Sequence, residues 1–231
     1  MASLLGILGG MGPLASADFV AKLIAATPAT TDQDHLPFLL WSVPQIPDRN
    51  RALAGTGPSP VPRMLRGLHG LRDAGCDLAV IPCNTAHRWY VDLATDAGLP
   101  ILHIADAACR DLPPGTAGLI ATAGTIASGM YQQRLAALGI DCLVPDDAQM
   151  ADQVMPAIYQ VKQGDLAGAG RGFAAVAASL ARRGATTILL ACSEVPPALA
   201  AIGAQPELPP LIDTTDALAR ACVRWWLDGR S

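Results

Sequence analysis

Two cysteines carry the most chemistry in this chain. Cys83 falls in the run Leu78-Ala79-Val80-Ile81-Pro82-Cys83-Asn84-Thr85-Ala86-His87, and Cys192 in Thr187-Ile188-Leu189-Leu190-Ala191-Cys192-Ser193-Glu194. Each run reads as a short buried strand that ends in a thiol, followed by small polar residues and a turn into a helix. A free cysteine is usually no more than a small buried hydrophobe, and that is the reading for Cys76, Cys109, Cys142 and Cys222. Cys83 and Cys192 stand apart through strand-end placement and polar neighbours. A thiol just ahead of a helix N-terminus also has its thiolate favoured by the backbone amides. Two facing thiols could form a redox pair, although no C-x-x-C motif is present. They could hold a metal, although His35, His69, His87 and His103 are far apart in sequence and no Cys/His cluster stands close by. Or they could act as two bases, one removing a proton from carbon and the other delivering one to the opposite face. A thiol near its ordinary pKa of about 8.5 serves either role. Such an exchange inverts a stereocentre.

Positioning those thiols requires a regular frame, and the pattern supplies one. Strands are expected over residues 4–8, 37–43, 78–82, 101–102, 117–121, 187–191 and 210–212. Helices are expected over 14–26, 63–74, 128–138, 147–162, 166–183 and 215–226, with a loop-rich passage over 44–62 that holds Asp48, Arg49 and Arg51. Strands alternating with helices mean parallel sheets with crossover helices, an α/β fold. The chain also repeats itself at a spacing of about 110 residues. Gly6-Ile7-Leu8 with Gly12 matches Gly118-Leu119-Ile120 with Gly124; Leu71, Gly75 and Cys83 match Leu180, Gly184 and Cys192; Pro100-Ile101-Leu102 matches Pro210-Leu211-Ile212. The expectation is therefore two similar lobes, each a parallel sheet flanked by helices, related by an approximate twofold. Sites in open α/β sheets lie beyond the carboxyl ends of the strands, so the lobes would bring Cys83 and Cys192 to one cleft from opposite sides.

Composition narrows the classes. The chain has 231 residues, 51% of them hydrophobic and 16% charged, with a net charge of −4. The lack of any basic run argues against nucleic acid, and no apolar run is long enough to span a bilayer. Met1-Ala2-Ser3-Leu4-Leu5-Gly6 lacks the pattern of a signal peptide. Six scattered cysteines in a chain of this length then read as reduced thiols in the cytoplasm rather than as disulfides.

Other residues carry weaker signals. Only two of the 16 basic residues are lysines, Lys22 and Lys162. Neither has a setting that suggests the Schiff base of a pyridoxal phosphate enzyme, so no cofactor is expected. Gly9-Gly10-Met11-Gly12 is too short for a dinucleotide or nucleoside-triphosphate loop. Asn84, Thr85, Thr122, Thr125 and Ser193 all fall at expected strand ends, where hydroxyls and amides could hold a carboxylate or simply cap helices. An exposed loop arginine such as Arg49 is usually solvated, and Lys162 at a helix C-terminus has a dipole reason to be there. Tyr159 reads as helix packing and Trp225-Trp226 as core or subunit contact, while His87 could assist the thiol four residues before it or be a packed or exposed bystander. Glu194 could cap its helix, orient Cys192 or meet a substrate ammonium.

Gly6-Ile7-Leu8-Gly9-Gly10-Met11-Gly12-Pro13, Pro47-Asp48-Arg49, Pro82-Cys83-Asn84-Thr85-Ala86-His87, Ile158-Tyr159 with Lys162 and Gly164, and Cys192-Ser193-Glu194 together resemble the aspartate/glutamate racemase family, in the family's order and over nearly the whole chain. The resemblance implies a cofactor-independent racemase of acidic amino acids, aspartate first and glutamate after it. It implies a two-lobed fold with the site between the lobes, and a homodimer with no nucleic-acid or membrane partner. It makes Cys83 and Cys192 the catalytic pair, sets Met11 and Gly12 against substrate, and puts Arg49 and Lys162 where relatives hold the side-chain carboxylate. It also implies a crossover that returns the C-terminal helix to the first lobe. The expected lobes are then 1–98 plus 208–231, and 99–207. Ser193 and Ser16 stand where threonine is usual, which touches substrate detail more than chemistry. Competing expectations are a maleate-type isomerase, a decarboxylase relative with a single cysteine, and a catalytically silent amino-acid binding protein.

Overall fold

A computed structural model describes residues 3–110 and 112–229; Met1 and Ala2 of the opening run lie outside the described residues. The chain divides into two compact units, one running to Ala107 and resuming at Thr215, the other Ala108–Thr214.

The first unit holds β1 (Leu5–Gly9), α1 (Pro13–Ala26), β2 (Phe38–Ser42), α2 (Arg49–Leu53), α3 (Val61–Asp73), β3 (Leu78–Val80), a 3₁₀ turn (Thr85–Trp89), α4 (Tyr90–Asp96) and β4 (Ile101–Leu102). α5 (Ile104–Cys109) spans the point where the chain leaves it. The second unit holds β5 (Thr116–Ala121), α6 (Ala123–Ala127), α7 (Met130–Ala137), β6 (Asp141–Leu143), α8 (Asp147–Gln149), a π turn (Met150–Val154), α9 (Met155–Gln163), α10 (Leu166–Arg182), β7 (Thr187–Ala191), α11 (Val195–Ala200) and β8 (Leu211–Asp213). α12 (Thr214–Asp228) closes the chain.

Each unit carries a four-stranded, all-parallel sheet, in the orders β2-β1-β3-β4 and β6-β5-β7-β8. These are the same topology, strand for strand, as the sequence repeat requires. The central strands β1, β3, β5 and β7 read as near-continuous apolar runs, apart from Thr116 and Thr187 that open β5 and β7, because helices cover both faces of such a sheet. In the first unit the side chains alternate. Leu5, Ile7, Leu78 and Val80 pack with Phe19 and Leu23 of α1 and with Leu218, Cys222, Val223 and Trp226 of α12. Leu8, Ala79 and Ile81 face the other way, onto Met64, Leu68 and Leu71 of α3. The C-terminal helix thus belongs to the first unit, and Trp226 is a core residue.

The repeated residues touch one another, which is why they recur. A Cβ on Gly6 would lie 3.2 Å from the Cβ atoms of Leu71 and Cys76, and one on Gly118 would lie 3.1 Å from those of Leu180 and Ala185. Glycine in β1 and β5 lets α3 and α10 settle close to their sheets. Both helices then end alike: Gly75 and Gly184 take positive φ, and the next amide returns to the carbonyl of Leu71 or Leu180.

The strands move the expected lobe boundaries. β4 pairs with β3, and β8 pairs with β7. The crossings therefore fall near 107 and 214, not at 98 and 207. Nor is the passage 44–62 free of helix, since it contains α2, whose N-terminus Asp48 caps by accepting from the Arg51 amide.

Candidate active site

In the first unit, β1 and β3 lie side by side with Ile7 opposite Val80. The segments leaving their carboxyl ends therefore run together. One carries Gly10-Met11-Gly12, the other Cys83-Asn84-Thr85, and Met11 and Cys83 share one apolar cluster with Ile46. The first turn is closed by Ser16, whose hydroxyl accepts from the Gly10 amide at 2.8 Å and donates to the Gly12 carbonyl at 2.9 Å. Gly10 has φ +94, and a Cβ there would stand 2.4 Å from the backbone of Val43, so this turn lies directly on the strand-end of β2.

Arg49 bonds to the backbone of this cluster and is buried, unlike a usual loop arginine. It is 8% exposed. Its Nη1 donates to the carbonyls of Ile46 and Pro47, at 3.2 and 2.9 Å, and its Nη2 to that of Met11 at 3.2 Å. A guanidinium has five N–H donors, so two remain after these three bonds. Carbonyl oxygens compensate the buried charge only in part, and a carboxylate suits the donors that are left.

Cys83 is buried, and its carbonyl accepts from His87 Nδ1 at 3.1 Å. His87 Nε2 accepts from the Ile104 amide at 3.2 Å. An amide can only donate, so these two bonds together fix a neutral imidazole with its proton on Nδ1. His87 is buried and ties the thiol-bearing turn to the start of α5. His103 and Tyr90 pack around it, with His103 at 4.7 Å between ring centroids. Asn84 and Thr85 are buried beside Cys83.

In the second unit, Ala121 pairs with Ala191, so Thr122 and Cys192 emerge next to each other from β5 and β7. Thr122 caps α6, accepting from the Thr125 amide at 3.1 Å and donating to the Thr125 hydroxyl at 3.0 Å. Cys192, Ser193 and Glu194 are all buried. The Cys192 thiol donates to Glu194 Oε2 at 3.0 Å, and the Ser193 hydroxyl donates to the same oxygen at 3.2 Å. Glu194 stands at the N-cap of α11 without a side-chain cap bond, and its side chain instead contacts Cys192.

Lys162 differs in kind. It is exposed near the C-terminal end of α9, with its ammonium 5.2 Å from the ring centre of Tyr159. Tyr159 is itself 39% exposed, so it is not the packing residue expected. Of the remaining cysteines, Cys76, Cys142 and Cys222 behave as apolar filler. Burial pushes the Cys142 thiol up to about 11 and the Cys222 thiol up to about 12, and burial with nearby Asp77 raises that of Cys76. Among the described residues, no group of three His, Cys, Asp or Glu side chains is placed to hold a metal ion, and no helix is long and apolar enough to cross a membrane.

Comparison with known proteins points one way. The family model described as Asp/Glu/hydantoin racemase matches residues 8–222. The aspartate racemase of Picrophilus torridus superposes with a TM-score of 0.84 at 31% identity, covering 97% of this chain and 94% of that one. The broad specificity amino-acid racemase RacX of Bacillus subtilis is 27% identical over 230 residues, 97% of this chain and 98% of its own. A glutamate racemase from Francisella tularensis, solved in complex with D-glutamate, shares the fold with a TM-score of 0.70 at 16% identity, over 99% of this chain and 82% of its own.

Proposed function

The chain belongs to the Asp/Glu/hydantoin racemase family, and from that premise we propose that this amino-acid racemase interconverts the enantiomers of acidic amino acids, aspartate first, by two-thiol proton transfer without an added cofactor. The observation that carries the reading is the placement of Cys83 and Cys192. Both thiols are buried, and they follow β3 and β7, strands that hold the same place in two identically ordered sheets.

In this reading the substrate takes a thiol on each face of its α-carbon. One thiolate removes the α-proton while the other thiol protonates the opposite face, and which thiol begins decides which enantiomer is consumed. The distal carboxylate goes to the two N–H donors that Arg49 keeps in reserve, with Lys162 as a second positive charge. Met11, Gly12, Asn84, Thr85, Thr122, Thr125 and Ser193 supply amides and hydroxyls to the α-carboxylate. Holding that carboxylate in fixed dipoles, away from water, lowers the cost of the carbanion. Reduced thiols imply a cytoplasmic setting. The protein acts as a homodimer, for which the exposed apolar edge strand β2, with Leu39, Leu40 and Trp41, offers a surface.

The test is incubation with L-aspartate in heavy water, without added cofactor. Loss of the α-proton by NMR and the appearance of D-aspartate by chiral separation should proceed at comparable rates. Glutamate and a panel of neutral amino acids then measure breadth. If no acidic amino acid exchanges with fully reduced protein, the substrate assignment fails, and a maleate-type isomerisation or simple binding is tested in its place.

A further inference from the structure

The two halves of the chain repeat one another, yet their thiols are set differently. Aligning Cys83-Asn84-Thr85 with Cys192-Ser193-Glu194 puts Thr85 where the second half has Glu194. Only one thiol therefore has a carboxylate two residues on. That carboxylate is buried, and its Oε2 accepts from Cys192 Sγ at 3.0 Å and from Ser193 Oγ at 3.2 Å. The turn after Cys83 is tied instead through its backbone, by His87. Exposure does not separate the two cysteines, at 6% and 3%.

A thiol that donates to a carboxylate keeps its proton, because a thiolate in the same place would lose the hydrogen bond and face a like charge across about 3 Å. We infer that Glu194 is a positioning residue that holds the proton on Cys192, so that the resting enzyme begins with Cys83 as the base. The inference rests on the two-thiol reading and adds to it the order of events. In the favoured direction the substrate Cα–H bond breaks, its proton forms the Cys83 S–H bond, and its electron pair stays on Cα. The Cys192 S–H bond then breaks, its proton joins that pair in a new Cα–H bond on the opposite face, and Cys192 is left as thiolate. Its proton is restored by exchange through water, which takes one from Cys83 and gives one to Cys192.

The consequence is measurable without disturbing the fold. Two enantiomers in water have an equilibrium constant of one, so kcat/KM must be equal in the two directions. Unequal resting thiols then show as kcat and KM values that differ between enantiomers by the same factor.

The direct test is alkylation of the reduced, substrate-free protein by iodoacetamide near neutral pH, with the modification of Cys83 and Cys192 followed separately by mass spectrometry. Wild-type protein should lose Cys83 first. In Glu194→Gln, which keeps the side-chain shape and removes the charge, Cys192 should react about tenfold faster while Cys83 is unchanged. Glu194→Asp, which keeps the charge, should leave Cys192 nearer to its wild-type rate, and the kcat difference between enantiomers should shrink in Glu194→Gln. Equal alkylation of both cysteines in the wild type overturns the inference, whether or not any variant folds. So does a common acceleration of both in Glu194→Gln, which is the mark of general loosening. A protein that shows the predicted alkylation pattern and exchanges no α-proton would instead contradict the racemase reading and leave the Glu194–Cys192 pairing standing.

Discussion

Burial disfavours the ionised form of a thiol, and Cys76, Cys142 and Cys222 show it. Burial raises Cys142 to about 11 and Cys222 to about 12 from an ordinary value of 9.0, and it raises the fully buried Tyr131 as well. A pKa raised on folding gives stability that is present below the unfolded value and is lost as pH climbs toward the folded one. The thermal midpoint should therefore hold up to about pH 9 and fall above it. The fall should be shallower in a Cys142→Ala, Cys222→Ala double variant measured against the wild type across the same range; equal steepness would refute the assignment. At this scale the sequence was legible wherever a residue's role follows from its own segment. Cys83 and Cys192 stand out by strand-end position, small polar neighbours and matched places in the repeat. Arg49 and His87 do not, because their partners come from elsewhere: the Met11 carbonyl lies 38 residues away from Arg49 and the Ile104 amide 17 away from His87. Glu194 was legible as a candidate, its acceptor role only once the thiol's direction was known.

Elements were legible in proportion to their length. Long periodic helices such as α1, α3 and α10, and largely apolar strands such as β1 and β7, follow from pattern. α2, α4, α5, α6 and α11 are too short to express a period, and β6 is a three-residue edge strand. The expected helix over 147–162 is in fact interrupted by a π turn at Met150–Val154, which no residue type announces. The turn between β1 and α1 gives the sharpest test at this scale. Gly10→Ala would place a Cβ 2.4 Å from the Val43 backbone at φ +94, and should cost about 2–4 kcal/mol in urea unfolding. Gly55 has φ +70 but nothing within 4 Å, so Gly55→Ala should cost only about 1 kcal/mol. Equal losses at the two positions would show that backbone conformation, not the approach to Val43, constrains the turn. Since that turn carries Met11 and Gly12, Gly10→Ala should also raise KM in whatever protein folds.

On the scale of the molecule, duplication was the most readable feature, because three matched segments at one spacing already imply two sheets of like order. The crossing points were harder to read. β4 has two residues and β8 three, so their partners rather than their sequences decide which unit they join. In the proposed dimer, assembly would use the edge strand β2, where Leu40 and Trp41 are 41% and 44% exposed. The wild type should sediment as a dimer and Leu40→Lys as a folded monomer; a wild-type monomer at micromolar concentration would remove the dimer from the account. The central claim, that two thiols share one proton-transfer cycle, is tested most directly by Cys83→Ser and Cys192→Ser made singly. Each should keep the wild-type thermal midpoint and lose racemisation of aspartate by about a hundred- to ten-thousand-fold in both directions. A folded single variant that racemises at the wild-type rate would contradict it.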